Sequence, residues 1–480
     1  MNLLFRRVFL TRAALAMASL SLVSLAAGCA PAAPPADKSE IVVLPGERHQ
    51  TMRGWEVTAV MANDERPEAI PLYKDQVYDE AVDEVGIDRL RVEVRSGAEN
   101  PDSSWKRFMS GEISPSQWRP LRYATVNDND DPYTINWKGF DFTELDESVE
   151  NIVLPMKERL EARGEKLFIN VCYVAFTGQI TKGGYVHDDP EEYAEFVLAV
   201  YLHLKEKYGV VPDAFETLLE PDNHVKQWTP TYMGKAIAAA SKRLKENGFT
   251  PAFIAPSTMD MARAAPWIDG IAKVDGAIDN VVEVSYHRYR HSSRKNAERI
   301  AKTAAHYGKA TSMLEWWFGN ADHRVLYEDL AYGNNSSWQG RVLSTLFDVD
   351  LSDPKNPKLS FKPDVRLNRQ YFHYIHFGAT RIGATSQDEN HIRPVAFINP
   401  DGGYVVVVST DAAADLDLKG LPPGDYSVSY ALESSDVLTP PVTVEAGADG
   451  ALSTRIPGGG VITIAATGGE TSGSHDEQGE

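Results

Sequence analysis

Two glutamates in this chain each close an apolar, β-rich run and are followed at once by residues that change its character. In Phe215-Glu216-Thr217-Leu218-Leu219-Glu220-Pro221-Asp222-Asn223 the run ends at Glu220, and Pro221, with no N–H to give a ladder, marks the stop. In Thr311-Ser312-Met313-Leu314-Glu315-Trp316-Trp317-Phe318-Gly319 it ends at Glu315, with three aromatics directly after. Two carboxyl groups brought together suit cleavage of a glycosidic bond. Its oxocarbenium-like transition state needs one group to protonate the leaving oxygen and another to attack or stabilise the anomeric carbon. Where the anomer is retained, such a pair stands ~5 to 5.5 Å apart, and the acid's pKa is expected to be raised by its neighbour's charge. Aromatic faces beside the pair suit the CH surfaces of a sugar ring. The competing explanation is that, among 68 acidic residues, some end strands by accident or form ion pairs at a sheet's rim.

Groups so far apart in the chain need a scaffold to meet, and the alternation between Gly54 and about Ala384 supplies one. Strand-like runs occur at Ile87 to Val94, Lys166 to Val174, Ala214 to Leu219, Ala252 to Ala255, Val281 to Tyr286 and Ala310 to Leu314. Amphipathic stretches lie between them at Leu145 to Arg163, Pro190 to Tyr208, Thr231 to Asn247 and Arg294 to Tyr307, and a further turn-rich stretch ends near Ser337 to Phe347. This βα order predicts helices around a parallel sheet. Gly164, Gly209, Gly248 and Gly308 fall where a left-handed residue closes a helix. No G-x-G-x-x-G follows an early strand and no Walker loop is present, which favours a closed (β/α)8 TIM barrel over an open doubly wound sheet. In such a barrel the site lies where strands end. Counted along the chain, Glu220 and Glu315 close strands four and seven, roughly across the mouth from each other.

From Pro394 onward the pattern shifts to short alternating strands and Gly-Asp-Pro turns, the mark of a small β-sandwich. Ile41 to Leu44, a strand with no βα partner, could complete it. The fold class expected is therefore α/β, a TIM barrel with a β-sandwich built from the C-terminal region plus an N-terminal strand. The expected divisions are a signal at 1–28, a tether at 29–39, the N-terminal sandwich strand at 40–53, the barrel at 54–384, the sandwich at 385–466 and a disordered Gly, Ser, Glu and Asp tail at 467–480.

The chain has 480 residues, 43% hydrophobic and 24% charged, enough for several domain-sized units with a sizeable core. Lys and Arg total 48 against 68 acids, and the net charge of −20 would repel a phosphate backbone, so nucleic acid is not an expected partner. Arg6, Arg7 and Arg12 precede an apolar stretch from Ala13 to Ala27, with no acidic residue before Cys29, as in an export signal too short to span a bilayer. Leu25-Ala26-Ala27-Gly28-Cys29 resembles a bacterial lipobox, where the chain is cut before Cys29 and its thiol acylated. Arg6-Arg7-Val8-Phe9-Leu10 looks like a twin-arginine motif. The expected location is the cell envelope, at the outer membrane or cell surface, anchored through lipid on Cys29. An ordinary cleaved signal is the alternative. The Pro- and Ala-rich segment Ala30 to Ala36 reads as the tether. With Cys29 lipidated, Cys172 lacks a disulfide partner and reads as a small buried hydrophobe.

The Glu220 run resembles the fourth-strand motif of clan A glycoside hydrolases, Trp-Glu-x-x-Asn-Glu-Pro, whose second Glu is the general acid/base, and the Glu315 run resembles the seventh-strand nucleophile motif. Gly54-Trp55-Glu56, Ser285-Tyr286-His287-Arg288-Tyr289, and Tyr371 to Thr385 leading into Val395-Ala396-Phe397-Ile398-Asn399-Pro400-Asp401-Gly402 narrow the resemblance to family 30, over residues 40 to 466. It implies Glu220 as acid/base and Glu315 as nucleophile, His287 and Tyr289 orienting the nucleophile or a sugar hydroxyl, and Arg91 hydrogen-bonding Glu315. The alternatives are a packing pair for His287 and Tyr289, and an ion pair with Glu93 for Arg91. Trp55, Trp228, Trp316 and Trp338 are candidates for sugar stacking or for core, with Trp316 first because it adjoins the nucleophile. Where the clan has Asn before its acid/base, this chain has Leu219, so either Asn223 or His224 reaches in or the bound sugar differs at that carbon.

No cofactor and no metal are expected. His373-x-x-His376 has helical spacing but no third ligand nearby, and neither H-E-x-x-H nor G-x-S-x-G occurs. The leading expectation is a retaining β-glycoside hydrolase acting on an extracytoplasmic poly- or oligosaccharide. The alternatives are a glycan-binding lipoprotein without activity and a transglycosylase.

Overall fold

The computed structural model describes residues 37–61, 69–223, 225, 227–317 and 321–467. The export signal, Cys29, most of the tether, His224 and nearly all of the C-terminal tail lie outside the described residues. Eight parallel strands follow one another around a barrel in chain order: Glu56–Thr58, Arg89–Arg95, Phe168–Val174, Ala214–Glu216, Phe253–Asp260, Val281–Arg290, Ala310–Glu315 and Asn335–Trp338. The seam between the eighth and the first is joined by parallel bridges from Trp55 to Trp338 and from Thr58 to Val342. The principal helices packed outside are Ile70–Glu80, Leu154–Ala162, Pro190–Tyr208, Pro230–Glu246, Met261–Ile271, Arg294–His306, His323–Ala331 and Pro363–Phe372. Among the described residues no helix is long and apolar enough to cross a membrane.

Local chemistry explains the element ends. The helix Pro190–Tyr208 starts with Asp189 accepting the Glu191 N–H and ends at Gly209, whose φ of 66° lets the chain leave in the left-handed region. The stretch expected as one helix from Leu145 is Thr143–Ser148 joined to Leu154–Ala162 through a widened π turn at Val149–Val153. Two barrel strands escape an apolar-run reading because they are short and polar: Glu56–Thr58, and Asn335–Trp338, whose Asn335, Ser336 and Ser337 are all buried. The latter occupies the stretch expected to be turn-rich, and the last barrel helix comes later, at Pro363–Phe372.

The sandwich is one continuous nine-stranded sheet. In spatial order its strands are Val442–Ala446, Gly424–Leu432, Gly460–Ala466, Tyr404–Thr410, Ile392–Ile398, Thr380–Ser386, Asp37–Thr51, Ala414–Lys419 and Leu452–Ile456. Ile41 pairs antiparallel with Ser386 on one side and parallel with Leu418 on the other. Alternate residues Ile41, Val43, Val406, Val408, Leu416, Leu418, Ile462 and Ile464 form its core. The N-terminal strand therefore starts before residue 40, and sandwich pairing starts at Thr380 instead of 385. The barrel helix Pro363–Phe372 locks onto the sandwich through Gln370, which receives Thr463 Oγ1 at its backbone carbonyl (2.6 Å) and Ser429 Oγ at its side chain (3.2 Å).

Candidate active site

The second strand reads Arg89-Leu90-Arg91-Val92-Glu93-Val94-Arg95, and the two-residue period of a strand divides it. Leu90, Val92 and Val94 join the hydrophobic core outside the barrel, while Arg89 and Arg91 meet partners across its interior. At the floor, Arg89 donates to both oxygens of Glu283 (2.8 and 2.9 Å) and to Glu56 (2.5 Å). Asn170 bridges Glu56 at 3.3 Å and Glu216 at 3.1 Å. Removing one member of a buried pair of this kind typically costs ~3–5 kcal/mol, because the other charge is left uncompensated. Glu216, at the end of the fourth strand, thus belongs to the floor.

One layer higher, Arg91 Nη2 donates to Glu315 Oε2 at 2.5 Å, Nη1 to the Leu314 carbonyl at 3.2 Å and Nε to Thr58 Oγ1 at 3.1 Å. Glu93 is farther from Arg91, at 3.7 Å, so the main partner of Arg91 is Glu315. Tyr289 donates its hydroxyl to Glu315 Oε1 at 2.9 Å and accepts the Trp317 N–H at 3.0 Å, which fixes both carboxylate oxygens and the turn after the strand. Thr58 and Gln339 hold this arrangement from below: Thr58 Oγ1 donates to Gln339 Oε1 (3.1 Å), and Gln339 Nε2 donates to the Leu314 carbonyl (2.5 Å). Neither residue was legible as part of the site, since each is an ordinary polar residue without a motif.

Glu220 lies beyond its strand, which ends four residues earlier at Glu216. Leu219 N–H still binds the Tyr173 carbonyl of the third strand and Glu220 N–H the Ser257 carbonyl of the fifth, so the segment spans its neighbours without forming a ladder. Glu220 itself has a φ of 50°, a conformation disfavoured for residues with a Cβ and found where the surroundings over-determine it. Its Oε2 accepts from Asn223 Nδ2 at 2.8 Å and its Oε1 pairs with His287 Nδ1 at 3.0 Å. One ligand-capable atom each of Glu220, His287 and Glu315 lie within 4.8 Å of one another. The two glutamates named from the sequence therefore meet at one point, with Arg91, Asn223, His287 and Tyr289 around them.

Burial raises the pKa of Glu315, and although Arg91 and His287 pull the other way it stays above the ordinary carboxylate value. For Glu220 burial also pushes upward, but the hydrogen bonds from His287 and Asn223 outweigh it, and the carboxyl is held below its usual value. The neighbour-charge expectation for the acid thus does not hold in the free site. His287, fully buried, is lowered by desolvation but raised more by the charges of Glu315 and Glu220, and its pKa stands above the ordinary imidazole value. The spacing of Glu220, His287 and Glu315 could also hold a cation. It would have to displace the donors already on both carboxylates and sit beside the Arg91 guanidinium.

Three of the four tryptophans considered for stacking are core. Trp55 is 1% exposed, donates its indole N–H to the Ile375 carbonyl at 2.7 Å and stacks on Phe372. It follows Gly54, whose φ of 106° brings the backbone so near Asp88 that a Cβ would meet its Oδ1 at 2.6 Å. Trp338 donates to buried Asp329, and Trp228 to Tyr185 within an aromatic cluster. Trp316 is half-buried, with the Arg288 guanidinium over its ring, and keeps the sugar-facing candidacy. Leu219 packs with Tyr123, Cys172 and Val174, so an apolar wall stands directly beside Glu220. Cys172 is buried in that wall.

Residues 378–464 match the family model described as the glycosyl hydrolase family 30 beta sandwich domain. The chain resembles glycoside hydrolase family 30. Its fold is that of the catalytic domain of a GH30 xylanase C from Talaromyces cellulolyticus (TM-score 0.60, 15% identity, 89% of this chain and 100% of that one). A GH30 endoxylanase from Clostridium papyrosolvens has a TM-score of 0.62 at 15% identity, over 89% of this chain and 99% of that one. The endo-beta1,6-glucanase BT3312 has a TM-score of 0.60 at 14% identity, over 88% and 94%. No curated protein matches by sequence. One scaffold thus carries proteins named for different glycans, and at these identities the likeness is one of fold.

Proposed function

We propose that this protein is a retaining β-glycoside hydrolase, with Glu315 as nucleophile and Glu220 as general acid/base. The observation that carries the reading is the convergence of one oxygen of each carboxylate within 4.8 Å, Glu315 at the end of the seventh strand and Glu220 in the turn after the fourth, closer than the ~6.5 to 9.5 Å that leaves room for an attacking water. Glu315, oriented by Arg91 and Tyr289, attacks the anomeric carbon. Glu220 protonates the departing oxygen and then takes a proton from the water that cleaves the glycosyl-enzyme. His287 supplies the proton Glu220 delivers, along their 3.0 Å hydrogen bond. The lipobox at Cys29 and the signal before it support an enzyme exported to the cell envelope, anchored by lipid and working on a poly- or oligosaccharide outside the cytoplasm.

The test is a panel of β-linked aryl glycosides and polysaccharides incubated with membrane and soluble fractions of cells that make the protein. Release of aglycone or reducing ends is expected in the membrane fraction for the wild type and in the soluble fraction for a chain that starts at Ala30. Binding without release by either would favour a glycan-binding lipoprotein and overturn the hydrolase reading. Activity distributed alike in both proteins would overturn the anchor.

The His287–Glu220 pair gives a pH prediction whose sign is fixed. A site that needs its proton loses kcat/KM on the alkaline side as that proton leaves. In the wild type the proton leaves above the ordinary imidazole value of 6.5, because the histidine's pKa is raised. In His287→Gln it must leave from Glu220 alone, a carboxyl in place of an imidazole, so the alkaline limb should move to lower pH. An unmoved limb in the kcat/KM profile would remove His287 from the proton's path.

A further inference from the structure

A second group of polar side chains lies outside the barrel, where the loop after the second strand meets the helix Pro190–Tyr208. The loop carries the run Asn127-Asp128-Asn129-Asp130-Asp131, and the helix carries Glu192 and Glu195. Five buried oxygens here have no hydrogen-bond partner: Asn127 Oδ1, Asp128 Oδ1, Glu192 Oε2 and both carboxylate oxygens of Glu195. Glu195 is 1% exposed, so neither oxygen is relieved by solvent.

The surrounding groups are fixed by their other polar atoms. Asn127 Nδ2 donates to Glu192 Oε1 at 3.3 Å, and Asp128 Oδ2 accepts from Asn129 Nδ2 at 3.0 Å and from Asn136 N–H at 2.5 Å. Asp128 N–H donates to Glu99 Oε1 at 3.3 Å. The charge on Glu195 is opposed by burial and then by Asp128, Glu192 and Glu99, while Arg243 acts in its favour. Arg243 is already bound to Glu191 and to the Pro132 carbonyl.

Buried carboxylates without donors hold their protons, as the Glu195 pKa pushed up to about 8 records, unless a positive charge joins them and takes the proton's place. An all-oxygen set of two or three carboxylates and an amide carbonyl is the chemistry hard divalent cations take, with six to eight oxygens in flexible geometry. Glu220, His287 and Glu315 are the one group of three or more such ligands found within 4.8 Å among the described residues, so the Asp and Glu side chains here stand farther apart.

We propose that Asn127, Asp128, Glu192 and Glu195 form a structural site for a calcium-like divalent cation that ties the loop after the second strand to the helix after the third. The site is separate from the Glu220 and Glu315 pair, and the proposal stands whether or not the protein cleaves glycans.

The full exported chain, stripped with chelator, is titrated with CaCl2 and its thermal midpoint recorded. At about a hundredfold excess over Kd the midpoint should rise by about 3 °C or more in the wild type. The same rise is expected in Glu220→Gln, and none in Glu195→Gln or Asp128→Asn. Glu195→Gln keeps shape and removes charge, so its own chelator-treated midpoint should equal or exceed that of the wild type and serves as its baseline. No rise in the wild type overturns the proposal, as does a rise undiminished in Glu195→Gln and Asp128→Asn. A rise lost in Glu220→Gln and kept in Glu195→Gln places the ion at the barrel mouth and also overturns it.

Discussion

Glu315→Ala is expected to lower turnover of a cleaved β-glycoside by on the order of 10⁵-fold, ~7 kcal/mol of transition-state stabilisation. The size follows from the geometry. Both oxygens of Glu315 are held, one by Arg91 at 2.5 Å and one by Tyr289 at 2.9 Å, so the carboxylate sits in one orientation toward the space it shares with Glu220. Alanine removes the attacking oxygen, and nothing else among the described residues at that point can replace it. The substitution should leave the fold standing, because Arg91 keeps Glu93 at 3.7 Å and the Leu314 carbonyl at 3.2 Å as partners. Added azide can occupy the vacated volume and attack the anomeric carbon from the same face, so the product of rescue should be the glycosyl azide of inverted configuration. Steady-state kinetics with circular dichroism as a folding control checks this. Turnover near the wild-type rate would end the assignment of Glu315.

Glu220→Ala is expected to cost about 10²- to 10⁴-fold, the usual range for a positioned general acid/base, and the loss should depend on the leaving group. A nitrophenolate leaves with little help, so the first step survives and the glycosyl-enzyme accumulates for want of a base. Azide needs no base, and it enters from the face where Glu220 would activate water. Rescue should therefore give the azide of retained configuration, the opposite of the Glu315→Ala product. The variant also takes away one of the charges that raise the pKa of His287. The two product configurations, read by NMR, separate the roles of the two glutamates more sharply than either rate loss does. An identical product from both variants would contradict the assignment.

The sequence carried much of this arrangement because strand periodicity exposes it. Arg89-Leu90-Arg91-Val92-Glu93-Val94 alternates so strictly that one face must bury charges, and those charges are the barrel's interior layers. What it did not carry was partner choice. Glu56, Arg89, Asn170, Glu216 and Glu283 join one floor network contributed by five strands, and no local pattern says which acids meet which base. The end of the fourth strand was misplaced because Thr217-Leu218-Leu219 has strand composition, while hydrogen bonds to Tyr173, Ile254 and Ser257 draw the segment into a turn that seats Glu220 at positive φ. Trp55 and Trp338 shared their residue type with a stacking platform, and burial alone distinguishes them. In Ala414–Lys419 the outward residues are Asp, and only the alternation of Ala414, Leu416 and Leu418 into the sandwich core marks it as a strand. Thr58 and Gln339 reach the site only through the closure of the barrel seam.

The apolar wall of Leu219, Cys172, Val174 and Tyr123 beside Glu220 also shows why fold alone leaves the sugar open.

The most direct measurement is the configuration of the first-formed sugar, followed by ¹H NMR from the start of hydrolysis and before mutarotation. Two carboxylates at this spacing predict that the β-anomer appears first and the α-anomer only later. An α-anomer at the earliest times would mean that water attacks opposite the leaving group, and would contradict the direct attack of Glu315 on the anomeric carbon.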